Sequence, residues 1–273
     1  MSRLGYTNKI TVDQVYLNAC LEFAKATARK AGNEVLLHFR SNLQIQNKLE
    51  SSFDPVTVAD KRSEEVIRGE IEQHYPQHGI YGEEFGYKVG NGLTWVIDPI
   101  DGTRGFVTGM LHWGILIALF DGEKPLTGVV YQPYTDELFF GTDKGSWLEG
   151  RSIPSRALGT SSCDDLDKAF LATTDEDLFS GDQLEGFRAI KERVRIGRFG
   201  GDCYSYCALA MGFIDIALDP GLQPYDIQAL IPIIRGAGGI ITTFEGGNPS
   251  LGGHVVASAN SVLHEQVLDL LNK

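Results

Sequence analysis

The apolar positions recur with two periods, and the switches between them divide the chain into elements. Across residues 11–40, Val15, Ala19, Leu21, Ala24, Ala28, Ala31, Val35, Leu36 and Phe39 return at steps of three and four. That spacing predicts a helix, with Asp13 as its cap and Gly32 as a weak point relative to alanine. Residues 42–53 are polar and mixed, and read as a short strand entering a loop that Asp54-Pro55 breaks. Residues 56–59 read as a short apolar strand. A second helix fits 60–75, with Asp60 near its cap, Val66, Ile67 and Ile71 facing inward, and Pro76 as its stop. Strands follow at 79–82, 95–97, 112–120, 128–132 and 137–142, with Trp147 in a further strand or turn. Turns at Asp121-Gly122 and Gln132-Pro133 make these a meander, so the first sheet is expected to be antiparallel.

Composition shifts at the serine-rich stretch 151–165, which suggests an N-terminal α+β half, 1–150, and a C-terminal α/β half, 151–273. In the second half, strands at 169–173, 194–196, 214–218, 240–244 and 254–257 alternate with helices at 181–192, 204–211, 226–237 and 262–271. Pro232 is expected to kink the third of these helices. The alternation predicts a layered α/β arrangement.

Charge and cysteine content narrow the function classes. The net charge of −12 argues against nucleic acid or a membrane surface as partner, because both need a basic face. Cys20, Cys163, Cys203 and Cys207 form no C-x-x-C pair and no zinc set, and read as reduced, mostly buried thiols of a cytoplasmic protein. The first ten residues lack a secretory apolar core, and the longest apolar run, 114–120, is strand-sized.

The candidate chemistry centres on residues 95–106, W-V-I-D-P-I-D-G-T-R-G-F. Trp95, Val96 and Ile97 read as the end of a buried strand, and Pro99 and Gly102 as a tight turn that aims Asp98 and Asp101 at one point. Two convergent carboxylates need a cation or a shared proton, and a hard ion such as magnesium or calcium suits oxygen ligands. Gly102-Thr103 adds N–H groups and a hydroxyl suited to phosphate. A lone D-x-x-D is more often a solvated turn, but the apolar lead-in and the Pro–Gly framing weigh against that here. Asp60, Glu83 and Asp226 also stand where strands or turns end, as if sharing one site. Taken singly, Asp60 and Asp226 fit helix caps and Glu83-Glu84 fits a solvated turn.

The set G-E-E (82–84), D-P-I-D-G-T (98–103) and P-Y-D (224–226) resembles the inositol monophosphatase family of magnesium-dependent, lithium-sensitive phosphatases, and the resemblance runs over nearly the whole chain. The resemblance implies a layered α/β/α/β/α sandwich and usually a homodimer. It implies two or three Mg2+ ions held by Glu83, Asp98, Asp101, Asp226 and the carbonyl of Ile100. Glu83 and Thr103 would orient and activate the attacking water, with Asp60 holding Thr103, and the N–H groups of Gly102 and Thr103 would grip the phosphate. The chemistry agrees: phosphate monoesters hydrolyse very slowly unaided, and no Ser, Cys or His has the partners of a nucleophile.

T-T-D-E-D-L-F (173–179), R-F-G-G-D-C-Y (198–204) and G-L-Q-P-Y-D-I-Q-A-L (221–230) are most similar to the histidinol-phosphate phosphatases of that family. Asp219 falls where inositol phosphatases carry an acid for sugar hydroxyls, and Asp202 where they carry a small apolar residue. The added carboxylate favours a cationic leaving group such as histidinol, although Asp202 also fits a helix cap. Arg198 is a candidate for contact with phosphate or a neighbouring subunit, a structural salt bridge being as consistent. The expected function is therefore hydrolysis of L-histidinol phosphate in histidine biosynthesis. A broad inositol 1-phosphatase is the alternative, and a non-catalytic binding subunit a third reading that predicts a lost metal ligand. No ligand is missing. No basic cluster offers to bind a second phosphate, which disfavours nucleotide and sugar bisphosphates.

Overall fold

Two β-sheets separate three layers of helices. The structure is a computed structural model that describes residues 12–41, 46–47 and 55–273; most of the expected strand at 42–53 lies outside them. Helix α1 (Gln14–Leu36) is capped by Asp13, which accepts from the Tyr16 N–H at 2.8 Å. Leu21, Ala24, Ala28, Ala31 and Val35 are buried on it, whereas Val15 and Ala19 on the first turns are exposed. Strands β1 (Gln46–Asn47) and β2 (Pro55–Val56) form a small antiparallel pair. Helix α2 (Val58–His74) begins earlier than expected, because Thr57 is its cap and Asp60 closes a capping box from the third helical position. The apolar run 56–59 is thus largely helix entry.

The first sheet is built from β3 (Gly79–Gly82), β4 (Gly86–Lys88), β5 (Thr94–Asp101), β6 (Gly114–Phe120), β7 (Pro125–Gln132), β8 (Glu137–Thr142), β9 (Gly145–Gly150) and β10 (Ile153–Ala157). A short helix, α3 (Thr103–Val107), separates β5 from β6. The strand order is β10-β9-β8-β7-β6-β5-β3-β4, antiparallel except for the β3–β5 pair. The second sheet has β11 (Phe170–Thr173), β12 (Ile196–Phe199), β13 (Ile216–Leu222), β14 (Ile240–Thr243) and β15 (Gly253–Ser258) in the order β12-β11-β13-β15-β14. Its helices are α4 (Gly181–Lys191), α5 (Asp202–Ala210), α6 (Pro224–Ile227), α7 (Leu230–Gly236) and α8 (Ser261–Leu271). The single helix expected over 226–237 is divided at Gln228-Ala229. Pro232 has no N–H to donate to the Gln228 carbonyl, so the break falls one turn before the proline.

Alternation along the strands assigns the layers. Trp95, Ile97, Ile115, Ile117 and Leu119 pack with α1 and α2 on one face of the first sheet. Val96, Leu116, Ala118 and Phe120 face α5, α7 and one side of the second sheet, which contributes Ala217, Ile241, Val255 and Ala257. The far side of that sheet, with Leu171, Ile216, Leu218 and Val256, is covered by Phe187 and Ile190 of α4 and Leu263 and Val267 of α8. The result is the expected α/β/α/β/α sandwich. Strands buried on both faces explain why 114–120 reads as one continuous apolar run.

Candidate active site

Asp98 and Asp101 do not sit in a turn, as their Pro–Gly framing suggested; both lie on β5. At odd spacing a regular strand would aim them at opposite faces. The register breaks between Asp98, opposite Leu116, and Asp101, opposite Gly114, so three residues of β5 span two of β6. This bulge supplies the one-residue offset that returns Asp101 to the face of Asp98. The chain turns only at Gly102, with φ 79°, where a Cβ would lie 2.4 Å from the His112 carbonyl oxygen.

The bulge opens onto a cavity of about 230 Å³ lined from both halves of the chain, by Glu83, Asp98, Ile100, Asp101, Gly102, Thr103 and Arg104 and by Thr174, Leu178, Asp202, Asp219, Leu222 and Asp226 among others. Carboxylate oxygens of Asp98, Asp101 and Asp226 lie within 4.8 Å of one another. Glu83 lines the same cavity outside that triad and adds its charge to all three. Desolvation first, then repulsion from these neighbours, pushes the Asp98 carboxyl well above its usual range. Asp101 and Asp226 are likewise pushed up to about 7, with burial the leading cause in each.

Local hydrogen bonds hold each acid in place. Asp98 Oδ1 accepts from the Ile100 N–H at 3.0 Å, Asp101 Oδ2 from the Cys203 N–H at the start of α5 at 2.7 Å, and Asp226 Oδ2 from the Gln223 N–H at 2.7 Å. Asp226 is not the N-cap itself but the third residue of α6, where its carboxylate closes a capping box with Gln223 while also lining the cavity. Thr103 Oγ1 lies 3.0 Å from the Ile100 carbonyl oxygen and 3.4 Å from Asp60 Oδ1. Asp60 is buried, and its other oxygen accepts from the Thr57 N–H and hydroxyl. A crowded set of hard oxygen donors, disfavoured as free anions, fits a divalent cation of the magnesium type.

Asp202 and Asp219 both reach the cavity, by different means. Asp202 is not a cap: Gly201 holds that position, and Asp202 opens α5 with φ 44°, in the left-handed region. No donor among the described residues reaches its carboxylate. Burial, then the charges of Asp101 and Asp219, push it up to about 8, against the opposing pull of Arg104. Asp219, on β13, accepts from the Thr173 hydroxyl at 3.0 Å, the Thr174 N–H at 2.6 Å and the Tyr206 hydroxyl at 3.0 Å. Burial still raises it to about 6 against those bonds.

Arg198 stands apart from the other candidates: it is exposed on the edge strand β12, outside the cavity lining, with no ion pair among the described residues, so its expected contact with phosphate or salt bridge is not seen within the chain. The strand begins at the end of the expected 194–196 segment and runs three residues past it to Phe199, with Arg198 paired to Ala172, and the left-handed Gly200 follows. Two groups escaped the sequence reading, Tyr206 and the buried pair Ser63 and Glu64, while Thr173 and Thr174 were singled out in the motif 173–179 but not as donors to Asp219.

Fold and cavity together define a class: a layered α/β protein with an oxygen-lined cation site beside an open pocket. The profile of the inositol monophosphatase family matches residues 17–273, and the chain belongs to that family, phosphatases that generally depend on Mg2+. It is 38% identical over 259 residues, 90% of this chain and 73% of the relative, to the bifunctional phosphatase IMPL2, chloroplastic, of Arabidopsis thaliana. It is 33% identical over 252 residues to the histidinol-phosphatase of Chlorobaculum parvum, covering 91% of this chain and 95% of that one. Among solved structures, an inositol monophosphatase from Zymomonas mobilis matches with a TM-score of 0.83 and 35% identity, over 94% of this chain and 98% of that one. No helix among the described residues is long and apolar enough to cross a membrane.

Proposed function

We propose that this phosphatase acts on a monoester whose leaving alcohol is cationic, and that L-histidinol phosphate is that substrate, released as L-histidinol and phosphate. The observation that carries the reading is Asp202. A non-glycine residue held at positive φ costs on the order of 1 kcal/mol, and here it holds a half-buried carboxylate in the cavity with no donor among the described residues to satisfy it. An ammonium or imidazolium group would satisfy it by a charge-assisted hydrogen bond. The histidinol-phosphatase relative supports the same reading. The competing reading, a broad inositol 1-phosphatase, draws on Asp219, whose clamped carboxylate suits hydroxyl groups, and on the Zymomonas structure.

In the proposed mechanism Glu83, Asp98, Asp101, Asp226 and the Ile100 carbonyl would hold Mg2+, which when bound would supply Lewis acidity and a more acidic water. The protein's own part is to place that water and its proton acceptors. Glu83 and the Thr103 hydroxyl orient the water, and Asp60 fixes the Thr103 rotor. The Gly102 and Thr103 N–H groups, at a helix start without a side-chain cap, would donate to the phosphate oxygens. Asp202 and Asp219 hold the leaving alcohol.

Phosphate release from L-histidinol phosphate and from inositol 1-phosphate, measured side by side with Mg2+, tests this. The first should be preferred, and Asp202→Asn should lower its kcat/KM by roughly 10–100-fold, the worth of a hydrogen bond to a charged group. Inositol 1-phosphate should change by less than about 3-fold, since a neutral alcohol gains little from that charge. An equal loss on both substrates, or a native preference for inositol 1-phosphate, rejects the cationic subsite.

A further inference from the structure

Helix α2 presents three buried side chains to the cavity loops, at helical spacing on one face. Asp60 reaches Thr103, Ser63 Oγ donates to the Pro99 carbonyl oxygen at 3.0 Å, and Glu64 binds the hairpin loop 83–85 between β3 and β4. Only the first of these is a contact the family resemblance implies. Glu64 is fully buried. Its Oε2 accepts from the Glu84 N–H at 2.7 Å, and its Oε1 from the Phe85 N–H at 3.2 Å and from Arg68 Nε at 2.7 Å. Arg68 Nη2 in turn donates to the Gly86 carbonyl, and its guanidinium lies over the Phe85 ring at 5.9 Å. A Cβ on Gly82 would fall 2.0 Å from Glu64 Oε1, so the loop closes on the carboxylate with no room to spare.

We infer that Glu64, locked by Arg68, is a positioning residue that sets Glu83 at the cation site. This rests on the metal-site reading of the cavity. The three residues that follow Glu83 are each bonded to α2: the N–H groups of Glu84 and Phe85 run to Glu64, and the Gly86 carbonyl to Arg68. Glu83 stands outside the tight triad and belongs to a hairpin, not to the bulged strand that orders Asp98 and Asp101. Its position is therefore set by the hairpin, and the hairpin's by Glu64. A glutamate four residues before an arginine on a helix ordinarily forms an exposed pair worth a few tenths of a kcal/mol. Here the glutamate side chain is fully buried and receives backbone donors, which makes it a structural acceptor for the loop.

The test measures Mg2+ binding by calorimetry on the full chain without substrate, together with amide exchange in the 83–86 segment. Glu64→Gln replaces one of two oxygens that together receive three donors, so whichever way the amide turns, its N–H2 group faces at least one donor. It should weaken Mg2+ binding by roughly 10–100-fold, the cost typical of groups that orient a metal ligand. Exchange at Glu84 and Phe85 should quicken while the β6 core stays protected. In a Glu83→Gln background the same change should cost nothing further, because Glu64 acts through Glu83. Full affinity in a folded Glu64→Gln protein, or additive losses in the double variant, overturns the inference. If Glu64→Gln does not fold, Arg68→Lys carries the test: it keeps the charge but loses the fork that joins Glu64 to Gly86, and unchanged affinity there overturns the inference as well. A wild-type chain that binds no Mg2+ would instead reject the metal-site reading itself.

Discussion

At the scale of single residues, the site concentrates charge that the fold disfavours. Asp98 is 2% exposed and sits among Glu83, Asp101, Asp226 and Asp60, so its charged form is destabilised by burial before any repulsion is counted. Asp98→Asn keeps the shape and the acceptor for the Ile100 N–H while removing one charge. Metal-free Asp98→Asn protein should melt at the same temperature as wild type or higher, should lose most of the rise that Mg2+ gives wild type, and should lose more than about 100-fold in phosphate release, beyond the cost of an orienting group. Calorimetric melting with and without Mg2+ checks the first two points. Surviving activity would exclude Asp98 as a ligand. The acids themselves were legible because each interrupts an apolar or Gly–Pro context. The bulge was not, since Pro99 and Gly102 suit a tight turn as well as a strand irregularity. Glu64 was hidden for a different reason: burial of a helical Glu–Arg pair depends on the hairpin that folds over it, which lies some twenty residues further on in the sequence.

At the scale of elements, α1 shows how packing reverses a propensity argument. Gly32 looks like a weak point in a helix, and an alanine there would gain about 1 kcal/mol of intrinsic stability. In the structure, its missing Cβ is what lets α1 approach β7. A methyl would stand 2.6 Å from Tyr131 Cε1 and 2.9 Å from Pro133 Cγ. Tyr131 cannot easily yield, because its hydroxyl donates to Asp136 at 2.9 Å and Arg29 lies over its ring. Gly32→Ala should therefore destabilise the protein by a net of up to ~2 kcal/mol, overpacking of ~1–3 kcal/mol offsetting or outweighing a propensity gain of about 1 kcal/mol. Urea unfolding checks the sign, and stabilisation would mean that α1 slides on the sheet at little cost. Elements with a clear period, such as α1, β6 and α8, were legible to within a few residues. Errors fell where period and capping disagreed. Val56, Thr57 and Val58 read as strand from their branched side chains, while Thr57 and Asp60 spelled a helix start.

At the scale of the whole molecule, alternation along the chain predicted layers but not which helices fill the middle one. That depends on strand faces buried on both sides, which carry no polar period, and the order of layers came from motif resemblance rather than pattern. The two sheets nonetheless share one vulnerability, a histidine buried in each outer layer. His78 is 3% exposed beside Tyr75 and Trp95, with Tyr16 Oη 2.9 Å from its Nε2. His264, on α8, is 4% exposed and bonded to the Thr242 and Ser258 hydroxyls. Burial lowers both to about 4. The unfolded chain takes up these protons near the ordinary value of about 6.5, the folded chain only near 4, so acid favours unfolding. Stability from each histidine is fully present above about pH 6.5 and is lost as pH falls toward 4, with roughly 2 kcal/mol gone per histidine by pH 5. The carboxylate cluster acts in the opposite sense, because its raised values make the folded, metal-free state hold protons more tightly. Wild-type melting against pH therefore sums two opposed effects. Comparison with His264→Gln cancels the carboxylates, and the variant should gain about 2 kcal/mol relative to wild type between pH 7.5 and 5 in urea unfolding. A pH-independent difference would mean that His264 accepts a proton in the folded state as easily as in the unfolded chain, and would place water beside it in the outer layer.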